Sequence, residues 1–188
     1  ASNPAIDLPT LATAGDHPYN LAFGNRRLSI VDLSPAGHQP MSARDGALWI
    51  VFNGMIHNFL ELLEQLRRRG HTFHSRTDTE VILNAYIEWG PGCVDHFNGM
   101  WAFVLWDGRR RELFVSRDRL GIKPLLVATA GPVVAFASEL KALRPFSRIP
   151  LDLDPVAVHH YLSLMKVPAP FTIFRQVRKL LPGHSTTV

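Results

Sequence analysis

The apolar run Leu48-Trp49-Ile50-Val51-Phe52 is too short for a helix and rich in β-formers, so it predicts a buried strand. Asn53-Gly54 follows and predicts a sharp strand-to-helix turn with backbone N–H groups pointing outward. A helix is expected over 59–69: Phe59, Leu62, Leu63 and Leu66 fall on one face, and Gly70 supplies the stop. Asn58 is placed to cap it, with Glu61 three residues on to close a capping box. A second box, Thr77-Asp78-Thr79-Glu80, opens a helix carrying Val81, Ile82, Ala85, Tyr86 and Trp89 up to Gly90.

Elsewhere the pattern is β. Leu21-Ala22-Phe23-Gly24 and residues 26–32 read as two strands joined by a tight turn. Residues 100–106 and 112–116 flank Asp107-Gly108, and residues 125–128 and 133–137 flank Gly131-Pro132, which predicts two hairpins. Turns at such short spacing imply antiparallel pairing, since parallel strands need a long crossover. A short helix is expected over 138–143, and Asp154-Pro155 opens another to about Met165. Two consecutive helices between blocks of strands suggest helices laid on one face of a sheet. Residues 1–20, broken by Pro4, Pro9, Gly15 and Pro18, read as an irregular lead-in to a single domain over 21–188.

Composition narrows the classes. With 188 residues and 46% hydrophobic content, one core can be buried. The net charge of +4 comes partly from Arg67-Arg68-Arg69 and Arg109-Arg110-Arg111. No aromatic stacking pattern accompanies these clusters, so nucleic acid is not an expected partner. One cysteine, Cys93, rules out an internal disulfide and suits a reducing compartment. No stretch approaches the roughly 20 apolar residues of a membrane span, and the first residues lack a signal-peptide order. A cytoplasmic protein without membrane contact is expected.

Several blocks together resemble one family. Asn25-Arg26-Arg27-Leu28-Ser29-Ile30-Val31-Asp32, His38-Gln39-Pro40-Met41, Phe52-Asn53-Gly54 and Arg76-Thr77-Asp78-Thr79-Glu80 resemble the class II glutamine amidotransferase domain of asparagine synthetases. So do Phe97-Asn98-Gly99-Met100-Trp101, Arg117-Asp118-Arg119-Leu120-Gly121-Ile122-Lys123-Pro124 and Val167-Pro168-Ala169-Pro170, in the family's order. The resemblance implies an α/β (α+β) N-terminal-nucleophile hydrolase-like fold, a four-layer sandwich of two stacked antiparallel sheets between helices. It also implies glutamine as ligand, an ATP-dependent synthetase domain in cis or in trans as partner, and no cofactor or metal in this domain; it admits a homodimer. By position, Arg27 would hold the glutamine α-carboxylate, Asp78 the α-ammonium, and the Asn53 side chain with the Gly54 N–H the oxyanion.

Two departures bear on the chemistry. The family's nucleophile is an N-terminal cysteine whose own α-amine serves as base, whereas the sequence opens at Ala1. Cys93, near Val94 and Phe97, reads as core packing. Met55 stands where the family has a glutamate that helps grip the substrate amine, and a thioether is a weak acceptor; His57 replaces the usual tyrosine. A glutamine-binding domain with its glutaminase activity lost is therefore expected, unless a cysteine precedes Ala1. Two alternatives stand beside it. One is a non-catalytic structural domain of a ligase. The other is a repurposed esterase using Ser163 and Lys166, a Ser-x-x-Lys pair expected on one face of a helix.

Overall fold

A computed structural model describes residues 20–26, 32, 34–43 and 45–188. The apolar run is longer than its sequence suggests. Strand β2 spans Leu48–Ile56 and continues straight through Asn53 and Gly54, which pair with Ala102 and Trp101 of the next long strand. Asn53-Gly54 is thus not a turn. Its role is close packing: a Cβ on Gly54 would lie 2.8 Å from the Trp101 Cα and closer still to the Met100 carbonyl.

Strand β2 is followed by helices α1 (Phe59–Arg68) and α2 (Asp78–Trp89), then β3 (Gly99–Asp107) and β4 (Glu112–Arg117). With β1 (Met41–Ser42) and β8 (Ser185–Thr187) these form an antiparallel sheet in the order β1-β2-β3-β4-β8. A second antiparallel sheet, β6-β5-β7, comprises β5 (Leu126–Ala130), β6 (Val133–Ala137) and β7 (Val177–Lys179). Both expected hairpins are present; β7 and β8, only three residues each, carry too little pattern to be foreseen. Leu21–Gly24 forms no strand, and of the partner expected over 26–32 only Arg26 and Asp32 are described. Of the lead-in over 1–20, residues 1–19 likewise lie outside the described residues.

Three cores stack through the molecule. Leu62, Leu66, Val81, Ile82 and Ala85 of α1 and α2 meet Ile50, Phe52, Ile56 and Phe103 of the first sheet. Ala102, Val104 and Val115 on its other face meet Leu125, with Phe136 packed against them. The far side of the second sheet buries Leu126, Ala128 and Val177 with Leu143 and Ile149, the first from a 3-10 turn at Leu140–Leu143 where a helix was expected. The order is helices, sheet, sheet and a thin outer layer. Helix α3 (Pro155–Leu164) is largely exposed and buries only Ala157. Among the described residues no helix is long and apolar enough to cross a membrane.

The caps show how local chemistry was diverted. Asn58 makes no side-chain cap. Its Nδ2 donates to His96 O at 3.0 Å and its Oδ1 accepts the Asn98 N–H at 2.8 Å, which fastens the β2–α1 turn to the loop before β3. Thr77 does cap α2, accepting the Glu80 N–H, but Glu80 reaches back to the N–H groups of His74 and Ser75 rather than closing a box on Thr77.

Candidate active site

Strand β2 outruns its neighbour on one side. β1 pairs with it only at Trp49 and Ile50, whereas β3 accompanies it to Ile56. Backbone N–H groups alternate sides along a strand. Beyond Ile50, those of Phe52, Gly54 and Ile56 therefore face an edge on which the described residues place no strand, while the His57 N–H points the other way, to Asn98 O. Side chains take two of the three. The Phe52 N–H donates to Gln39 Oε1 at 2.7 Å, and the Ile56 N–H donates to Asp78 Oδ2 at 3.0 Å. The Gly54 N–H lies between them, roughly 7 Å along the strand from each, and no bond to it is made by the described residues.

Asn53 points to the opposite face from the buried Phe52, into a cleft of about 100 Å³ between the two sheets, where Asn25, Phe136 and Ser138 also stand. Its exposed carboxamide and the open Gly54 N–H are two donors on consecutive residues. Such a pair suits an oxygen that gains charge during acyl transfer.

Asp78 is 5% exposed and sits in the first turn of α2. Burial pushes its carboxyl above the ordinary value, against the opposing pull of the N–H groups of Ile56, Thr79 and Asp78 itself. A buried acceptor whose charge is poorly compensated favours a cationic partner. Met55, opposite Met100 on β3, is half-buried and offers only a thioether there. Arg27 lies outside the described residues.

Three further residues join this group, and sequence reasoning assigned none of them a role. Gln39 accepts from Phe52, accepts the Asn25 Nδ2 at 3.2 Å, and donates from Nε2 to Thr79 Oγ1 at 3.4 Å. Because an N–H can only donate, Phe52 fixes which end of the Gln39 amide faces it. That orientation in turn fixes the Asn25 amide and leaves Asn25 Oδ1 buried with no partner. Gln39 lay in one of the family blocks; nothing in a Gln-Pro pair reveals that its amide would serve a strand edge.

Cys93 is fully buried between α2 and β3, and burial pushes its thiol up to about 12. It packs, as its apolar neighbours indicated. Ser163 and Lys166 are not on one helical face: α3 ends at Leu164, Met165 turns left-handed with φ 56°, and Lys166 lies beyond it, both residues exposed. No hydrogen bond joins them among the described residues, and the esterase alternative loses its geometric basis. The His71 ring is occupied by Asn84 at 3.1 Å and by Glu88 at 2.9 Å.

Comparison with known proteins bears on the same residues. Residues 14–188 match the glutamine amidotransferase domain family. The chain is 39% identical over 176 residues to asparagine synthetase [glutamine-hydrolyzing] 3 of Bacillus subtilis, covering 92% of this chain and 28% of that protein. It is 40% identical over 172 residues to asparagine synthetase [glutamine-hydrolyzing] 1 of the same organism, covering 92% and 27%. The chain therefore spans little more than a quarter of the length of these relatives. Among solved structures it is similar to the glutamine phosphoribosylpyrophosphate amidotransferase of B. subtilis, with a TM-score of 0.51 and 23% identity over 62% of this chain and 28% of that one. That likeness concerns the fold, which is N-terminal-nucleophile hydrolase-like. The match across 14–188 and the identity to the synthetases place the chain in the glutamine amidotransferase domain family, class II, of the asparagine-synthetase type.

Proposed function

We propose that this domain binds glutamine at the free edge of β2 and serves an ATP-dependent synthetase portion that consumes the ammonia released from it. The observation that carries the reading is the open Gly54 N–H beside the Asn53 carboxamide, with the buried Asp78 carboxyl held one step further along the same edge. In this arrangement the glutamine carboxamide oxygen meets Asn53 and Gly54, and the α-ammonium meets Asp78. Arg27, by its position in the family pattern, takes the α-carboxylate through a bidentate guanidinium.

Hydrolysis needs a nucleophile that adds to the carboxamide carbon, expels ammonia and leaves an acyl group for water. The one thiol in these residues is sealed in the core and holds its proton well past neutrality. These 188 residues are therefore expected to bind glutamine without turning it over, and turnover depends on a thiol contributed from outside them. Calorimetric titration with glutamine tests the first part, with Arg27→Ala and Asp78→Asn as controls; saturable binding by wild type, weakened about tenfold or more in both variants, is the expected result. Absence of binding would overturn the reading, and glutamate production by these residues alone would overturn the second part.

A further inference from the structure

We infer that Gln39 is a positioning residue that sets how long a substrate the pocket accepts, and so separates glutamine from its shorter homologue asparagine. The inference rests on the glutamine-binding reading above.

Besides the apolar packing of Val81, Ile82 and Ala85 on the sheet, two hydrogen-bonded ties among the described residues hold the first turn of α2 to the strand edge, and they flank the open N–H. On one side Asp78 accepts directly from Ile56. On the other Gln39 bridges, accepting from Phe52 at 2.7 Å and donating to Thr79, the residue next to Asp78, at 3.4 Å. Phe52 and Ile56 are four residues apart, so the ties stand roughly 13 Å from each other along the strand. Gly54 sits midway.

With both ties in place, the first turn of α2 cannot swing about the Asp78–Ile56 bond. The distance from the Asp78 carboxyl to the Asn53–Gly54 donors is then fixed. Those two points receive opposite ends of the amino acid, its ammonium and its carboxamide, and the separation between them is what one methylene changes. Thr79 is 3% exposed and Gln39 half-buried, so the bridge is screened from competing water. Gln39 touches neither proposed contact point itself; it acts through Phe52 and Thr79.

A group that only stabilised the fold would, when removed, weaken both ligands alike. A group that sets spacing changes their ratio. Glutamine and asparagine affinities are to be measured by calorimetry on the whole chain as wild type, Gln39→Leu and Thr79→Val, with exchange of the Phe52 amide followed by NMR. Thr79→Val deletes a single hydroxyl at constant shape, so it keeps the test open should Gln39→Leu fail to fold. Gln39→Glu still offers an acceptor to Phe52, Asn25 and the Thr79 hydroxyl, and is the conservative rescue.

The expected result is faster Phe52 exchange in Gln39→Leu and a glutamine-to-asparagine preference that falls roughly tenfold or more, the worth of a methylene in a fitted pocket. Thr79→Val shifts it in the same direction, and Gln39→Glu preserves it. An unchanged preference in Gln39→Leu and Thr79→Val, with wild type binding glutamine, would overturn this inference and leave the binding reading intact. Failure of wild type to bind glutamine would overturn both.

Discussion

Asp78 accepts the Ile56 N–H at 3.0 Å, two residues beyond Gly54, so a carboxylate proposed for the substrate amine is also a structural pin. The two duties conflict energetically. Burial disfavours the charge that binding needs, and its carboxyl lies above the ordinary 3.8 as a result. The folded state holds this proton more tightly than the unfolded chain, so stability from Asp78 is present at low pH and is lost as the pH climbs through the raised value.

Asp78→Asn keeps an oxygen for Ile56 and removes the charge. Urea unfolding should show the variant gaining on wild type as the pH rises from about 4 to 7, the ordinary carboxylate range being about 4. Glutamine affinity should fall by about tenfold or more, as a charge-assisted hydrogen bond is lost. A variant that loses ground to wild type between pH 4 and 7, and binds glutamine as tightly, would contradict both expectations.

Asp118 behaves in the opposite sense. Burial raises its carboxyl, but the N–H groups of Lys123, Ile122, Trp101 and Leu120 outweigh burial and hold it below 3.8. Its contribution is present above the ordinary value and lost as the pH falls through the lowered one. Asp118→Asn, leaving several donors without a charged acceptor, should cost about 2–4 kcal/mol at pH 7. The difference from wild type should shrink in acid, which equilibrium unfolding at both pH values would test.

Gly54→Ala should cost about 3 kcal/mol or more, because the methyl meets the backbone of Met100 and Trp101, which cannot step aside. Gly46 is a useful contrast. Its φ of +69° strains a side chain but nothing lies within 4 Å, so Gly46→Ala should cost only about 1 kcal/mol. Similar thermal shifts for the two variants would refute the packing account.

Met55→Glu places a carboxylate where the family has one. If the pocket takes an ammonium near this strand, glutamine affinity should rise by about tenfold. Calorimetry showing equal or weaker binding would locate the amine elsewhere.

Cys93 should resist iodoacetamide at pH 8 in the folded chain and react readily in 6 M guanidinium, since only the unfolded thiol ionises near pH 8–9. Rapid labelling of native protein, read by mass spectrometry, would show that the core around it opens.

The long elements were legible because their patterns exceed local noise. Residues Phe59, Leu62, Leu63 and Leu66 mark one face of α1, and residues 100–106 could only be a strand. What failed was local chemistry overruled from a distance. Asn-Gly is a turn signal, yet nine residues of β3 hold Asn53 and Gly54 in a ladder. Asn58 is a good cap, yet His96 and Asn98 claim its amide. Ser163 and Lys166 have helical spacing, but the helix stops between them. Of the site, Asn53, Gly54 and Asp78 came from a resemblance. Gln39 and Asn25 emerged only when the edge of β2 could be inspected, because their significance depends on which N–H groups the sheet leaves over.

Gly54 shares its crowding with Gly99, whose own Cβ would lie 3.0 Å from the Ile56 Cα across the same two strands. The open donor is therefore welded to the central ladder of the first sheet, with no side chain through which its position could be adjusted. Natural variation in this domain must then act on the surroundings, on whatever faces that donor, and leave the donor itself untouched. A lineage that abandoned glutamine would still carry the vacant amide, as a fossil of the strand pairing.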